Sequence, residues 1–377
     1  MKNRFFKSMF ALVFAVMSAF VLTACAGKWD ATKIKVGTTT FAYDGSSHVF
    51  EVDYEEAKVD VTVTYSTTAT GEFKPASELS FVNVGTYSLY YKLTAEGFDD
   101  YVSAEPVEFT ITVARITVNN ETELATAITN YGTSSYVIVL GQDLVLTEKV
   151  YINSGEYTID LNGHTVSFPS DTVGDGVFHV ENTGKLTIND TVGTGVVNSA
   201  SLTNDYSMAV WANRGGEVII NGGTFTNVGA KEYENNGTTP NNNDLIYASR
   251  EGKITINGGT YVGNYENDIY GDNDTTGYVR FTLNEKDEKT STAEIEAGTI
   301  VVTGGEFRQY DPADSHSENP AGNFVAEGYT STEVTRAGIT WYVVEWNIKD
   351  SLIKRAFFVK LYGFNKNDFM VRKKFVW

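Results

Sequence analysis

Aliphatic and polar residues alternate in one short phrase that occurs five times between residues 155 and 307. Each copy reads aliphatic, any residue, aliphatic, and then a turn residue, which is the period-two pattern of a half-buried β-strand. The copies occupy residues 159–163, 186–190, 218–222, 254–258 and 300–304. Four of them follow a glycine placed two positions earlier, at Gly184, Gly216, Gly252 and Gly298, with intervals of 32, 36 and 46 residues. A fixed unit separated by variable loops predicts a solenoid, in which each coil buries its apolar side against the next coil.

Two further strand signals accompany each phrase, so three short strands are predicted for each coil. One follows the turn, as in residues 224–226 and 260–262, and one precedes the glycine, as in residues 177–180 and 208–212. Aligned on the glycine, two apolar columns are predicted to point inward: Phe178, Val210 and Ile246, and Val180, Ala212 and Ala248.

Asparagine occupies the turn position in four copies, at Asn162, Asn189, Asn221 and Asn257. An asparagine there tolerates a left-handed backbone and can hydrogen-bond its neighbours in adjacent coils. This ladder, the three strands per coil and the DLNGH string at residues 160–164 resemble the right-handed parallel β-helix of the pectate-lyase-like superfamily. The resemblance covers about residues 118–345. It implies the fold and leaves the chemistry open, because this fold hosts lyases, hydrolases and binding proteins alike.

The ends of the predicted solenoid also have signals. Residues 121–129 read as a short amphipathic helix, which we interpret as the N-terminal cap over an otherwise open sheet edge. Strands of the first coil are predicted at residues 136–140 and 144–146. At the other end, residues 324–329 and 339–344 predict a closing hairpin.

The preceding segment, residues 34–116, has short alternating strands and frequent turns without the coil phrase, which is typical of a β-sandwich. Its start at Tyr43-Asp44-Gly45 and its residues 83–92 resemble bacterial Ig-like repeats of the MBG type. That resemblance implies a spacer on a cell-surface protein, and a carbohydrate-binding sandwich is the alternative. Residues 26–33 are predicted to be a linker.

The first 25 residues read as an export signal. Three basic residues precede an uncharged apolar run from Met9 to Val21. The run ends in Leu-Thr-Ala-Cys, which resembles a bacterial lipoprotein box and implies lipidation of Cys25, the single cysteine of the chain. An ordinary signal peptide with an incidental cysteine is the alternative. The sequence therefore predicts an exported protein that is lipid-anchored to a bacterial envelope and has no other membrane contact.

Charge is distributed unevenly along the chain. The net charge is −19, the predicted signal contributes +3 and residues 346–377 contribute +6, so the remaining residues 25–345 carry −28. Such an acidic body repels nucleic acid and anionic lipid, and it disfavours polyanionic ligands unless a local basic patch or a cation is present. The basic, aromatic tail at residues 346–377 is either an envelope-contacting segment or a segment outside the folded protein.

Catalytic motifs of the pectate-lyase-like superfamily are not found in the sequence. The four histidines, His48, His164, His179 and His316, share no motif, and no acid pair recurs on adjacent coils. Glycoside hydrolysis requires two carboxyl groups about 5–10 Å apart, and Asp171 with Asp175 is the one candidate pair. Calcium is the one cofactor considered, through Asp268, Asp272 and Asp274. For both sets, a solvated polar loop is the simpler interpretation, and we predict no cofactor.

One column of outward-pointing residues is the candidate ligand site: His179, Trp211 and Tyr247, about 4.8 Å apart from coil to coil. Near them, at the turn, stand Asn182, Arg214 and Arg250. Aromatic faces beside guanidinium and amide donors suit sugar rings with their hydroxyls or carboxylates. Cross-coil stacking that only stabilises the solenoid is the equal alternative. The polar loops at 229–244, 264–276 and 310–323 are further candidates for recognition.

Together these features predict an all-β protein in which an N-terminal Ig-like β-sandwich precedes a right-handed parallel β-helix with three strands per coil and an N-terminal capping helix. The predicted function is a surface adhesin or glycan-binding protein without catalysis, with an extracellular polysaccharide or a host or envelope glycan as its partner. A polysaccharide lyase or glycoside hydrolase is the alternative, and a purely structural envelope protein is a third possibility.

Overall fold

The computed structural model describes residues 27–55, 59–168, 176–200, 208–228, 244–263, 281–286, 289–290, 293–294, 297–315, 317 and 322–347. The described chain is all-β with one α-helix, and it divides into two compact units, Met1–Ala114 and Arg115–Trp377. Several predicted features lie outside the described residues: the signal with Cys25, the tail beyond residue 347, His316, and the acids Asp171, Asp175, Asp268, Asp272 and Asp274.

The first unit is built from short strands around a long one. Its strands are β1 (Ile34–Val36), β2 (Thr40–Ala42), β3 (Val52–Tyr54), β4 (Thr62–Ser66), β5 (Gly85–Thr94), β6 (Tyr101–Val102) and β7 (Val107–Thr112), with 3-10 turns at Ala31–Lys33 and Ala76–Glu78. One sheet has the order β2-β7-β5-β4, with β6 on β5, and β1 pairs with β3. The first half of β5 pairs with β7 and the second half with β4, so this strand joins two parts of the unit.

The core of the first unit is aromatic and aliphatic, with Phe50, Leu89 and Leu93 fully buried. Residues 27–33, predicted to be a linker, instead pack on this unit. Trp29 lies with its ring centroid 5.0 Å from that of Tyr54 and 4.8 Å from that of Phe98. Trp29, the one large aromatic residue of this segment, therefore joins it to the first unit.

The second unit begins with a strand and a helix and continues through a long series of short strands. They are β8 (Ala114–Val118), α1 (Glu121–Asn130), β9 (Tyr136–Leu140), β10 (Leu144–Val145), β11 (Val150–Ile152), β12 (Glu156–Asp160), β13 (Thr165–Ser167), β14 (Phe178–Glu181), β15 (Lys185–Asn189), β16 (Val196–Asn198), β17 (Val210–Asn213), β18 (Glu217–Ile220), β19 (Thr224–Thr226), β20 (Ile246–Ser249), β21 (Lys253–Ile256), β22 (Thr260–Val262), β23 (Leu283–Lys286), β24 (Lys289–Thr290), β25 (Ala293–Glu294), β26 (Thr299–Val302), β27 (Gly305–Arg308), β28 (Tyr329–Arg336) and β29 (Ile339–Trp346).

Apart from β24 and β25, which pair with each other, these strands form three long sheets. Sheet 1 has the order β26-β21-β18-β15-β12-β9-β8, sheet 2 the order β10-β13-β16-β19-β22-β27-β29-β28, and sheet 3 the order β11-β14-β17-β20-β23. From β9 to β23 the chain visits sheets 1, 2 and 3 in turn, and successive coils pair in parallel within each sheet. The second unit therefore has the parallel, β-helix-like arrangement that the repeated phrase predicts.

The register places like residues above one another. Phe178 pairs with Val210 and Val210 with Ile246, while Val180, Ala212 and Ala248 form the next inward column. All six side chains are completely buried. A second interior stack forms under sheet 2, where the rings of Phe225, Tyr261 and Phe307 lie nearly parallel with centroids 5.4 and 4.7 Å apart.

The recurring glycine allows successive coils to approach closely. A Cβ atom at Gly216 would lie 2.3 Å from the carbonyl oxygen of Val180, and one at Gly252 would lie 2.2 Å from the carbonyl oxygen of Ala212. Both obstacles are main-chain atoms of the preceding coil. The glycine column of the sequence is therefore a steric requirement of parallel stacking, independent of backbone torsion.

The asparagine ladder is continuous over three of its four predicted members. Asn221 donates to Asn189 Oδ1 (2.8 Å) and Asn257 donates to Asn221 Oδ1 (2.9 Å). The hydroxyl of Thr303 extends the ladder to Asn257 Oδ1 (2.7 Å). Asn162 donates instead to the carbonyl oxygen of Leu140 (3.0 Å).

Of the four ladder asparagines, each of which could tolerate a left-handed backbone, only Asn162 adopts it, with φ 51°. In the later coils the positive φ belongs to the second glycine after the asparagine, as at Gly223 (98°) and Gly259 (100°). The turn therefore uses glycine for its strained torsion, which leaves the asparagine side chains free to follow the coil axis.

Both ends of the second unit are closed by regular elements. The side chain of Asn120 caps α1 by accepting from the amide of Glu123 (2.9 Å), and Leu124 and Ala127 enter the core of the first coil. The closing hairpin is β28 with β29. The predicted first arm at 324–329 is wrong, because Phe324 is buried and Val325 makes only an isolated parallel bridge to Val302.

Candidate functional site

The outer face of sheet 3 carries two columns of side chains that alternate with the buried inward columns. The first contains Tyr151, His179, Trp211 and Tyr247, and the second contains Glu181, Asn213 and Ser249. Because parallel strands in register align like positions, residues from four coils meet on one surface. We refer to this surface as the sheet 3 site.

The aromatic rings of the first column lie against one another. His179 stacks on Trp211 with centroids 4.2 Å apart and ring planes 14° apart, and Trp211 is 5.7 Å from Tyr247. His179 and Tyr247 are only 4% and 9% exposed, whereas Tyr151 at the end of the column is 44% exposed. The sequence suggested open ring faces at His179, Trp211 and Tyr247, but neighbouring rings occupy those faces. The column therefore has the geometry of cross-coil stacking, and Tyr151 is the ring it leaves accessible.

The carboxylate of Glu181 is the centre of the polar column. Tyr151 donates its hydroxyl to Glu181 Oε2 (3.2 Å), and Arg214 donates to the same oxygen (3.2 Å). Asn213 donates to Oε1 (3.1 Å), and His179 Nε2 lies 3.0 Å from Oε1. Glu181 is only 6% exposed. Each donor comes from a different position on three coils, so this buried acid ties the outer face together.

A second path of hydrogen bonds links the aromatic column to the same carboxylate. Trp211 Nε1 donates to Ser249 Oγ (2.9 Å), and Ser249 donates to Asn213 Oδ1 (3.2 Å). Asn213 then donates to Glu181 through its amide nitrogen. The indole of Trp211 is therefore held by stacking on its faces and by a hydrogen bond at its edge, which fixes its rotamer.

The turn residues near the column adopt an unusual backbone. Asn182, Arg214 and Arg250 all have positive φ, at 55°, 47° and 47°. A left-handed arginine costs of the order of 1–3 kcal/mol, and at Arg214 this torsion accompanies the contact with Glu181. The side chain of Arg214 remains about half exposed (53%). Asn182 donates instead to Asn153 Oδ1. The turn residues Asn182 and Arg214 therefore do not share one acceptor.

The charged groups of the site shift one another's pKa values. Burial, followed by the charge on Lys149, lowers the pKa of His179 to about 4. Burial opposes ionisation of Glu181, yet the contacts with His179 and Arg214 and the hydrogen bonds from Asn213 and Tyr151 hold its pKa below its usual range. Burial also lowers the pKa of Lys149, whose ammonium lies 5.6 Å from the centroid of the Tyr151 ring. At neutral pH the site thus combines a neutral imidazole, a carboxylate and two cations.

Acidification is expected to destabilise the second unit through His179. Its pKa of about 4 in the fold lies below the ordinary value of 6.5. The unfolded chain therefore binds more protons between these values, and stability falls as the pH drops through that window. Lowering the pH from 7.5 to 5 should remove roughly 2 kcal/mol, measured by urea unfolding at both values. A His179→Gln variant should lose correspondingly less, and equal losses in the two proteins would contradict the assignment.

Three contributors to the site were not singled out from the sequence: Tyr151, Glu181 and Lys149. The alternation of β14 provides the signal that could have found Glu181, because residues two apart point to the same side and His179 was already placed outward. Tyr151 precedes the first copy of the phrase, which the sequence alignment placed two residues out of register. The structure pairs Tyr157 with Leu186, so Gly155 occupies the glycine position and the alignment on residue 159 did not reach Tyr151. Lys149 lies in a connection and has no periodic signal.

The other candidate groups do not join this site. His48 contacts Asp44 (2.9 Å) in the first unit, and His164 Nδ1 lies 3.4 Å from Asp143 Oδ1. Among the described residues, no group of three or more His, Cys, Asp or Glu side chains is arranged to hold a metal ion. Within the same residues, no helix combines the length and apolar character needed to span a bilayer.

Comparisons of the whole chain with protein-family models, with curated proteins and with solved structures find no match. The function must therefore be argued from the residues of the sheet 3 site. That site offers one exposed aromatic ring, one exposed guanidinium and a buried carboxylate that orients both.

Proposed function

We propose that this chain is an exported, lipid-anchored surface protein of a bacterium that binds an extracellular or envelope glycan without transforming it. In this proposal an Ig-like spacer carries a right-handed β-helix, and the sheet 3 site contacts the sugar. The parallel coils support the handedness, because crossover connections between parallel strands of one sheet are right-handed in nearly all proteins. The apolar run and Leu-Thr-Ala-Cys25 string support export and anchoring.

The observation that carries glycan binding is the convergence of Tyr151 and Arg214 on one oxygen of Glu181. A sugar ring presents an apolar face and a belt of hydroxyls, so it suits an exposed ring beside fixed hydrogen-bonding groups. Arg214 is oriented by Glu181 while its side chain stays about half exposed. An oriented donor loses little side-chain entropy when it binds a ligand oxygen.

The carboxylates within the described part of the site support the proposal that the protein does not transform the glycan. Hydrolysis of a glycosidic bond needs two acids, and here Glu181 is the acid that the contacts bring to the exposed ring. Its oxygens are engaged by Tyr151, Asn213 and Arg214. A carboxylate held ionised by several donors is a poor general acid.

A lyase is the second candidate, and one specific observation favours it. The pKa of Lys149 is lowered by burial, and this lysine lies near Tyr151. An amine with a lowered pKa beside a phenol and a guanidinium is suited to removing a proton next to a carboxylate that the guanidinium neutralises. Release of unsaturated sugar ends would identify this activity.

Binding and catalysis can be tested together. The full chain in lipid nanodiscs is applied to an array of plant, host and bacterial polysaccharides, and retained protein and released sugar ends are both measured. Retention without product supports the proposal, whereas product in any well replaces it with the lyase or hydrolase. If no polysaccharide retains the protein, a purely structural role in the envelope is the function that remains.

Arg214→Gln is expected to weaken binding of the retained polysaccharide about tenfold or more, since one charge-assisted hydrogen bond contributes about 1.5–3 kcal/mol. The matched control is Arg336→Gln, because Arg336 also pairs with a glutamate, Glu306, at 2.5 and 2.9 Å, but on the closing hairpin. Equal affinities of the two variants would show that Arg214 does not contact the ligand.

The lipid anchor has its own test. Cells that express the chain are grown with an alkynyl fatty acid, and labelling of the protein is compared with that of a Cys25→Ser variant. We expect label in the original protein and almost complete loss in the variant. Persistent label in Cys25→Ser would contradict anchoring at this residue.

A further inference from the structure

A groove of about 220 Å³ opens between α1 and the connection from β10 to β11. Its apolar lining comes from two sources: Leu124, Ala125 and Ile128 on one stripe of the helix, and Leu146, Val150 and Tyr151 on the first coil. Leu124 and Leu146 are each only 2% exposed and form the floor. Helical positions three and four apart share a face, so the capping helix presents a continuous apolar wall to this space.

Three charged residues also line the groove, Glu121, Glu148 and Lys149, and the carboxylate of the first is already engaged. The Glu121 carboxylate accepts from the amide and hydroxyl of Thr147 (2.8 and 2.9 Å) and from the amide of Glu148 (2.9 Å). These bonds hold the β10–β11 connection against the start of the helix. Because the lining is mainly apolar, a sugar hydroxyl placed in the groove would lose its hydrogen bonds to water without replacement.

The volume of the groove fits an aromatic ring. An engineered apolar cavity of about 150 Å³ takes up benzene, and this groove is larger and open to solvent on one side. Burial of a phenyl-sized group on such a lining strengthens a complex about tenfold to a hundredfold. A ligand that places an apolar group of that size in the groove would therefore bind more tightly than one with a free hydroxyl at the same position.

Tyr151 connects the groove to the sheet 3 site. This residue belongs to the groove lining, and its hydroxyl donates to Glu181 Oε2, the oxygen that Arg214 also contacts. The groove and the sheet 3 site therefore share Tyr151, so a ligand that contacts this residue can reach both.

We propose that the groove beneath α1 binds an aryl or short acyl substituent carried by the sugar at the sheet 3 site, so that the protein prefers a substituted glycan over an unmodified one. That the substituent is attached to a sugar rests on the proposed function. The binding of an apolar group by the groove does not depend on it.

The preference is tested with paired small probes. The full chain in nanodiscs is titrated with the 4-nitrophenyl and the methyl glycosides of glucose, galactose, N-acetylglucosamine and glucuronic acid. The 4-nitrophenyl member of a bound pair should bind about tenfold more tightly than the methyl member. Equal affinities within every bound pair would overturn the inference while leaving glycan binding intact.

Matched variants locate the effect. Ala125→Phe fills the groove from the exposed helix surface and should abolish the advantage of the 4-nitrophenyl glycosides. Thr126→Phe adds the same ring one position away, outside the groove lining, and should preserve the advantage. An advantage that survives Ala125→Phe places the aryl group elsewhere and contradicts the proposal.

A sugar-free probe separates failure of this inference from failure of the proposed function. Benzamide, a neutral aryl compound, is followed by saturation-transfer NMR against empty nanodiscs. A signal lost in Ala125→Phe and kept in Thr126→Phe supports an apolar binding groove, even if no glycoside binds and glycan recognition is thereby refuted. No signal, or one unchanged by Ala125→Phe, refutes the groove as a binding site.

Discussion

The Gly252→Ala variant is expected to lose about 3 kcal/mol or more of the free energy of unfolding of the second unit. The added Cβ would lie 2.2 Å from the carbonyl oxygen of Ala212 and 2.4 Å from its carbonyl carbon. These atoms belong to β17, which pairs in parallel with coils on both sides. The main chain there cannot move away without separating the coils, so the overlap has no inexpensive relaxation.

Gly222→Ala is the control, because the nearest atom to its new Cβ would be the amide nitrogen of Asp190 at 3.5 Å, an ordinary contact. Urea unfolding followed by far-ultraviolet circular dichroism measures both variants. We expect Gly222→Ala to change stability by less than about 1 kcal/mol. Similar losses in the two variants would mean that the close approach of coils does not determine where the glycines stand.

The second large effect is expected for Trp211→Ala, which should cost about 3 kcal/mol of stability. The indole stacks on His179 at 4.2 Å, lies 5.7 Å from Tyr247 and donates to Ser249. Its removal takes a stacking neighbour from His179 and from Tyr247, and it breaks the path of hydrogen bonds that leads to Glu181.

Trp211→Phe preserves a ring in the column and removes only the indole hydrogen bond, so it should cost about 1 kcal/mol. The measurement pairs urea unfolding with affinity for the retained polysaccharide. If Trp211→Ala leaves stability unchanged and abolishes binding, the indole contacts the ligand directly and the stacking interpretation is wrong.

The coils of the second unit could be predicted because their signal repeats. A period-two phrase with a glycine at constant offset identifies the strand positions, and the register of Phe178 with Val210 and of Val210 with Ile246 follows directly from that alignment. A single copy would have been an ambiguous strand. Repetition made the assignment secure, because a solenoid obliges equivalent residues to lie in equivalent places.

The functional surface was harder to predict because it depends on contacts between coils. Alternation placed His179 and Trp211 on the outer side of sheet 3, but the burial of His179 depends on how the side chains of neighbouring coils pack. The prominence of Glu181 comes from donors on β11, on β17 and in the turn after β17. Linear spacing gives no information about such convergence, since the donors are about 30 residues away from the acid in the sequence.

The first arm of the closing hairpin was also mispredicted because its position depends on contacts between coils. Residues 324–329 were predicted to form its first arm, yet the amide of Val302 donates to Phe324 O (2.8 Å) and the amide of Ala326 donates to Val302 O (2.9 Å). The segment therefore continues the parallel stacking beside β26. A short apolar run does not specify whether its partner is parallel or antiparallel.

The glycine column also bears on how such a chain changes over evolution. Each glycine of the column meets main-chain atoms of the coil before it, and each ladder asparagine meets the residue one coil away. A duplication or deletion that spans one whole coil therefore restores every contact it interrupts, whereas one of any other length breaks them. The distance between the two ends of the solenoid is thus adjustable in steps of about 4.8 Å, and relatives of this protein should differ in reach by whole numbers of coils.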